Sequence, residues 1–249
     1  MTLATDFAIL LAAAAYGWRF RSLHGARGRP SMGRLAAFLV GLLALWVAMA
    51  SPIAQLDLGH LTGHMIQHLL IMTVGAPLVL WAEPIHVLAA GRPRAMLVRH
   101  LPSPHPALCW FVGTSVVLFW HVPSVFAFGM RWHGLQHVTF LLAGLLFWLP
   151  VIQPWPSASA WPPWSIPLYL FLATLPCDGL SALLAFCGRV VYSHYGAMSP
   201  NCPMLNGLSP LEDQQRAAAL MWCWVTFAYL TPAAFVTVEL LSPKRPATL

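Results

Sequence analysis

Apolar residues gather in seven runs, 3–18, 32–52, 59–81, 108–128, 133–153, 166–187 and 214–238, and the stretches outside them hold most of the charge and proline. A helix that crosses a bilayer needs about 20 mostly apolar residues. The pattern therefore predicts an all-α, polytopic membrane helix bundle with seven transmembrane helices in a single integral-membrane domain, 1–249. The first run is the shortest. A signal peptide cleaved near Ala13, Ala14 and Ala15 is the rival reading, but no basic residue precedes the run and Asp6 occupies the flank where one belongs. The connections 82–107 and 188–213 are too short to bury a core of their own. The segment 154–165, with Pro154, Pro156, Pro162, Pro163 and three tryptophans, reads as a stiff interfacial turn with an aromatic belt.

Composition agrees with lipid as the main solvent: 59 % of residues are hydrophobic and 8 % charged, against about 25 % charged in soluble domains. This excludes disordered, collagen-like and nucleic-acid-binding classes. The formal charge of +6 reads as an orientation signal. Ten of the 13 Lys and Arg residues follow runs one, three and seven, while Arg131, Arg189 and Arg216 alone fall on the other side. That predicts the N-terminus outside and the C-terminus in the cytoplasm. Five cysteines show no paired short spacing. Cys187 and Cys202 are candidates for one disulfide, and Cys109, Cys177 and Cys223 read as packing.

The chemistry concentrates in histidine. His60, His64, His68 and Met72 recur every four residues in run three, a spacing that drifts about 40° per step and so marks one helix face. The pair His64-x-x-Gln67-His68 is echoed by His133-x-x-Gln136-His137 in run five, which enters the membrane in the same direction. His121 ends run four on that side, and His194 lies in a loop of the same face. Seven of eleven histidines thus belong to the outer side, while His24, His86, His100 and His105 read as solvated loop residues. Neutral imidazole is the commonest metal ligand, and i, i+4 pairs let two rings reach one ion. Polar side chains at membrane depth are costly enough to read as functional, although cross-helix hydrogen bonding is the structural alternative.

Imidazoles with the thioethers of Met65, Met72, Met130 and Met221 in reach suit copper, with zinc as an alternative. A haem held by two histidines would leave the same signature. Asp178, beside Pro176 and Gly179, reads as a proton relay or second-shell group, or as part of a helix bend. Asp213 stands where a carboxylate complements the start of its own helix, with a relay or second-shell role as the alternative. Glu83 reads as a boundary residue.

Four motifs, Gly63-His64-Met65-Ile66-Gln67-His68-Leu69-Leu70-Ile71-Met72 with Gly75-Ala76-Pro77-Leu78, Trp120-His121-Val122-Pro123, His133-Gly134-Leu135-Gln136-His137, and Asp213-Gln214-Gln215 leading to Met221-Trp222, resemble the multi-pass CtaG family of cytochrome c oxidase assembly proteins. The likeness spans about residues 35 to 235. Arg216 and Ala218 depart from the expected apolar and glycine residues, and 197–209 is individual to this chain. The resemblance implies a bacterial inner-membrane protein that handles copper for cytochrome c oxidase subunits without turnover, with His64, His68, His121, His133 and His137 as functional positions. In that reading His64, His68, His133 and His137 are ligands, His60 and His121 exchange ligands, and Gln67 and Gln136 orient the rings. A haem-binding oxidoreductase, a metal transporter and a subunit scaffold are the competing classes. No C-x-x-C-H motif supports the first of these.

Overall fold

The computed structural model describes residues 2–23, 30–51, 54, 60–89, 104–129, 131–153, 161–192 and 208–242. Among them there is no strand. The chain opens with α1 (Thr2–Ser22) and α2 (Met32–Met49). Tyr16 fastens them: its ring stacks on Phe38 with centroids 4.1 Å apart, and its hydroxyl donates to Ala82 O at 2.9 Å. Asp6 also has a partner, since Trp46 Nε1–H donates to its carboxylate at 2.9 Å.

Run three is not one regular helix. It forms α3 (Leu61–Leu69), a π-helical turn at Leu70–Gly75, and α4 (Ala76–Trp81). The cause is local. Pro77 has no N–H to offer the Thr73 carbonyl four residues back, and the chain adopts wider bonding, with Ala76 N–H reaching Ile71 O. Neighbouring helices hold the wide turn: Trp148 Nε1–H donates to Met72 O at 2.8 Å, and Trp224 Nε1–H donates to Thr73 Oγ1 at 2.8 Å.

The short α5 (Pro84–Leu88) follows Glu83, whose φ of 49° is left-handed. Glu83 is more than a boundary residue. Arg34 grips both its oxygens at 3.0 Å, and His86 Nδ1 lies 3.0 Å from Oε2. His105, also expected to be solvated, caps the next helix by accepting from Ala107 N at 3.2 Å.

Run four departs most from the straight span expected over 108–128. It is α6 (Pro106–Trp120) and α7 (Pro123–Gly129), bent by 84° at His121 and Val122. Pro123 cannot donate to Phe119 O and disfavours helical backbone at Val122, so the helix stops there. Then come α8 (His133–Ile152), α9 (Ser165–Phe186) and α10 (Pro210–Leu241). Among the described residues, five helical stretches are long and apolar enough to cross a membrane: Met32–Met49, Leu61–Leu88, His133–Ile152, Ser165–Phe186 and Pro210–Leu241; the α6–α7 pair, taken together as one broken span, brings the number to six. α1, which the sequence reading counts as the first of seven spans, is not among them. The outer surface of the bundle displays Phe111, Phe119, Leu142, Phe171, Phe227 and Phe235. Large apolar side chains exposed in such number belong to a lipid-facing surface.

Two apolar cores share the central elements. Met65, Phe147, Leu170, Met221 and Tyr229 join α3, α8, α9 and α10. Phe38, Leu45, Ile71 and Phe140 join α1 and α2 to the π turn and α8. The run from Leu61 to Trp81 and α8 therefore lie in the middle, touching through Gly144, where a Cβ would stand 3.0 Å from Ala76 Cβ and 3.1 Å from Met72 Cα. A backbone atom cannot swing aside as a side-chain tip can. Gly144→Val is expected to push α8 off the π turn and to destabilise the bundle by about 1–3 kcal/mol, read as a lowered midpoint in thermal unfolding of the detergent-solubilised protein.

Candidate functional site

The site begins with how α3 starts. Its cap residue, His60, offers no side-chain hydrogen bond to the helix. The buried carboxylate of Asp213, from α10, does so instead: it accepts from Leu61 N at 2.6 Å, Thr62 N at 3.3 Å and Thr62 Oγ1 at 2.6 Å. His60 Nδ1 lies 4.0 Å from the same carboxylate. Asp213 stands in the first turn of its own helix, as expected, and its hydrogen bonds to α3 add a second duty. That start carries a capping box made by Ser209 and Glu212, which frees Asp213 to satisfy the orphan amides of a neighbour.

With α3 held there, its histidine stripe enters the bundle. His64, His68 and His137 are buried, as is His121 at the α6–α7 break. The His64 and His68 rings sit edge to face with centroids 4.1 Å apart, and those of His68 and His137 are 6.3 Å apart. His133, half-buried at the first turn of α8, lies 6.4 Å from His137 by the same measure. Phe126 and Phe140 wall the pair on α3, at 4.9 Å from His64 and 4.0 Å from His68. Among the described residues no three His, Cys, Asp or Glu side chains are gathered closely enough to hold an ion by themselves. The five rings are neighbours, not a closed shell.

Hydrogen bonds decide which nitrogens carry lone pairs. Gln67 donates its amide N–H to Ala54 O at 2.8 Å and turns its oxygen to His137 Nε2 at 3.2 Å. His137 therefore carries its proton on Nε2 and its lone pair on Nδ1. His121 Nδ1–H donates to Val117 O at 2.7 Å, leaving Nε2 as the lone-pair nitrogen, buried and without a partner. Both ring nitrogens of His68, and Nε2 of His60, are likewise buried and unpartnered. Gln136 does not orient a ring: both its amide atoms are buried without a hydrogen bond.

A second network fixes His121 from behind. Gln214, next to Asp213 and 1 % exposed, accepts from Val191 N at 2.7 Å and donates to Leu184 O and Arg189 O at 3.3 and 3.2 Å. This holds the segment after α9 against the bundle and places Tyr192, whose hydroxyl donates to His121 O at 2.7 Å and whose ring lies 4.4 Å from Phe126. Burial pushes the Tyr192 phenol above its ordinary range, so it stays a donor at all physiological pH. Sequence reading missed Gln214 and Tyr192 as functional positions. The signal for Gln214 was its place in the Asp213-Gln214-Gln215 motif, on the buried face of α10 in helical register with Ala217, Ala218, Met221 and Val225.

Met72 and Met221 line a cavity of about 30 Å³ together with His68, His121, Met65 and Cys177. Asp178 faces elsewhere. One residue on from Cys177, and so about 100° around α9, it accepts from Thr226 Oγ1 at 3.5 Å. α9 runs unbroken through Pro176 and Gly179. Met130, His194, Cys202, His24 and His100 lie outside the described residues, and with them the expected Cys187–Cys202 pairing.

Fold and site together define a multi-pass helical membrane protein whose central helices collect imidazoles and thioethers around a few buried, unpartnered nitrogens. Among families, the chain matches the one described as cytochrome c oxidase caa3 assembly factor over residues 14–242. It belongs to that family, and its role is accordingly in the assembly of cytochrome c oxidase. No curated protein and no solved structure matches it.

Asp213→Ala is expected to leave the Leu61 and Thr62 donors unsatisfied and cost about 1–3 kcal/mol, whereas Asp213→Asn, which keeps acceptor oxygen, loses less. Thermal unfolding of the two variants side by side checks the order.

Proposed function

We propose that this chain spans the inner membrane of a bacterium seven times, with α1 as the first span, N-terminus outside and C-terminus cytoplasmic, and delivers copper to cytochrome c oxidase during assembly. It takes the metal at the histidine cluster on the outer side. His64, His68, His133 and His137 are the ligands and His60 and His121 the exchange positions. It is a carrier and performs no turnover.

The observation that supports this reading is the set of buried imidazole nitrogens without partners on His60, His68 and His121. Each such group costs about 1–3 kcal/mol when left unmade. Histidines kept only to tie helices together would be hydrogen-bonded, as His137 is to Gln67. Neutral lone pairs in a dry, aromatic-walled site are what an imidazole-binding ion requires. The space beside His68 and His121, about 30 Å³, suits an ion, while organic ligands and cofactors fill pockets of about 300–1,000 Å³. Orientation rests on the Lys and Arg count.

Purified His64→Ala/His68→Ala protein is expected to lose its copper, and membranes carrying it to lose oxidase activity, with the unfolding midpoint retained. Wild-type copper content in that variant, or a Soret band in the wild-type protein, overturns the reading. For orientation, a protease-cleavable tag at the C-terminus is expected to be cut only in inverted vesicles; cutting in intact spheroplasts reverses the topology.

A further inference from the structure

The small cavity between α3, α6, α9 and α10 has a lining that the histidine cluster does not explain. Beside Thr73, Phe140 and Tyr229, its walls hold three thioethers, Met65, Met72 and Met221, the thiol of Cys177 and the imidazoles of His68 and His121; these last six are the soft and nitrogen donors. All six residues are buried. His68 is 6 % exposed and neither of its ring nitrogens has a hydrogen-bond partner, and the lone-pair nitrogen of His121 is equally unpartnered. Leu69, Val117 and Val225 supply the aliphatic part of the wall. Sulfur on three separate elements, α3 with its π turn, α9 and α10, needs another reason.

We propose that this cavity is a binding site for a monovalent soft cation, Cu(I), held by the thioethers of Met72 and Met221 and by His68, with Met65, Cys177 and His121 completing the wall. Thioether and thiol sulfur favour Cu(I) over harder ions. Charge argues the same way. Thioethers and imidazole are neutral and no carboxylate lines the cavity, so the site must carry the ion's own charge. The Born cost grows with the square of that charge, so a divalent ion would pay about four times as much as a monovalent one. Size agrees: about 30 Å³ exceeds the ~10–15 Å³ needed for one water-sized occupant. Met72 lies within the π turn and lines the cavity, and Trp148 Nε1–H holds its carbonyl at 2.8 Å.

His68 belongs to both the cavity and the histidine cluster, with His64 at 4.1 Å and His137 at 6.3 Å between ring centroids. It is the ligand an ion would keep while moving from nitrogen donors to sulfur donors. The inference rests on the proposed copper handling and adds the oxidation state and a sulfur-lined resting place to it. No redox step is involved: the ion enters and leaves as Cu(I).

The test uses the full chain in detergent, grown with methionine or with selenomethionine and loaded with Cu(I) alone under anaerobic reductant. X-ray absorption at the copper edge is expected to show a sulfur shell that becomes a selenium shell on labelling. Selenium-edge spectra of the wild-type protein give the same contact without any mutation. The near-isosteric Met72→Leu/Met221→Leu variant is expected to lose that shell and bind Cu(I) about tenfold or more weakly against a Cu(I) chelator, with its unfolding midpoint preserved. Copper bound with nitrogen neighbours only, and unchanged in the variant, overturns the sulfur site and leaves the histidine reading standing. A folded wild-type protein that takes up no copper at all overturns both.

Discussion

A single buried carboxylate sets the geometry at the working end of this bundle. Asp213 reaches from α10 to the first amides of α3, where three donors converge on it. Helix starts present several orphan N–H groups and a positive dipole end, and a carboxylate is the strongest common answer to both. Because the answer comes from another helix, it does more than cap. It fixes the axial position of α3 against α10, and with it the depth at which His64 and His68 enter. The next residue, Gln214, performs the matching service for the segment carrying Tyr192. Two consecutive side chains thereby lock both walls around His121.

The imidazole cluster is then a consequence of helix register, with several of its ring nitrogens left unpartnered. Gln67 and the Val117 carbonyl choose the tautomers of His137 and His121. Both ring nitrogens of His68 and Nε2 of His60 and of His121 are buried with no hydrogen-bond partner. A bundle selected for stability alone would pair them or replace them with apolar side chains, since an unsatisfied polar group in a low-dielectric interior costs more than its absence. Both prolines that interrupt the central helices act on this region. Pro77 widens the turn that carries Met72, and Pro123 ends α6 so that His121 stands at a corner. Irregular backbone is tolerated at membrane depth where neighbouring side chains satisfy the freed groups, and here Trp148 does so at Met72 O.

Legibility from sequence divides along the range of the forces involved. Helix content, the limits of most apolar runs and the common face of His60, His64 and His68 follow from periodicities and transfer free energies that act over one or two turns, and these could be read from residue order. So could the wish of runs three and five to present matching histidine pairs, and the family signature in the motifs from Gly63 to Trp222. Cys177 packs in the core as its sequence context indicated, whereas Gln136, read as an orienting partner, has no hydrogen bond to a ring; local order was silent there because a single helix does not say which neighbour it will face.

What only the folded chain decided were the contacts between elements distant in sequence. Asp213 lies about 150 positions from the amides it caps, and nothing near it in the chain distinguishes that duty from capping its own helix. The tautomers, the 84° corner at His121 and the gathering of three thioethers in one small cavity likewise depend on close packing, which is set by the joint shapes of several helices and by small residues such as Gly144 that let their backbones meet. Local propensity and hydrophobicity specify the pieces and their solvent; hydrogen bonds and van der Waals contacts, short in reach and satisfied only in three dimensions, specify which side chains become neighbours.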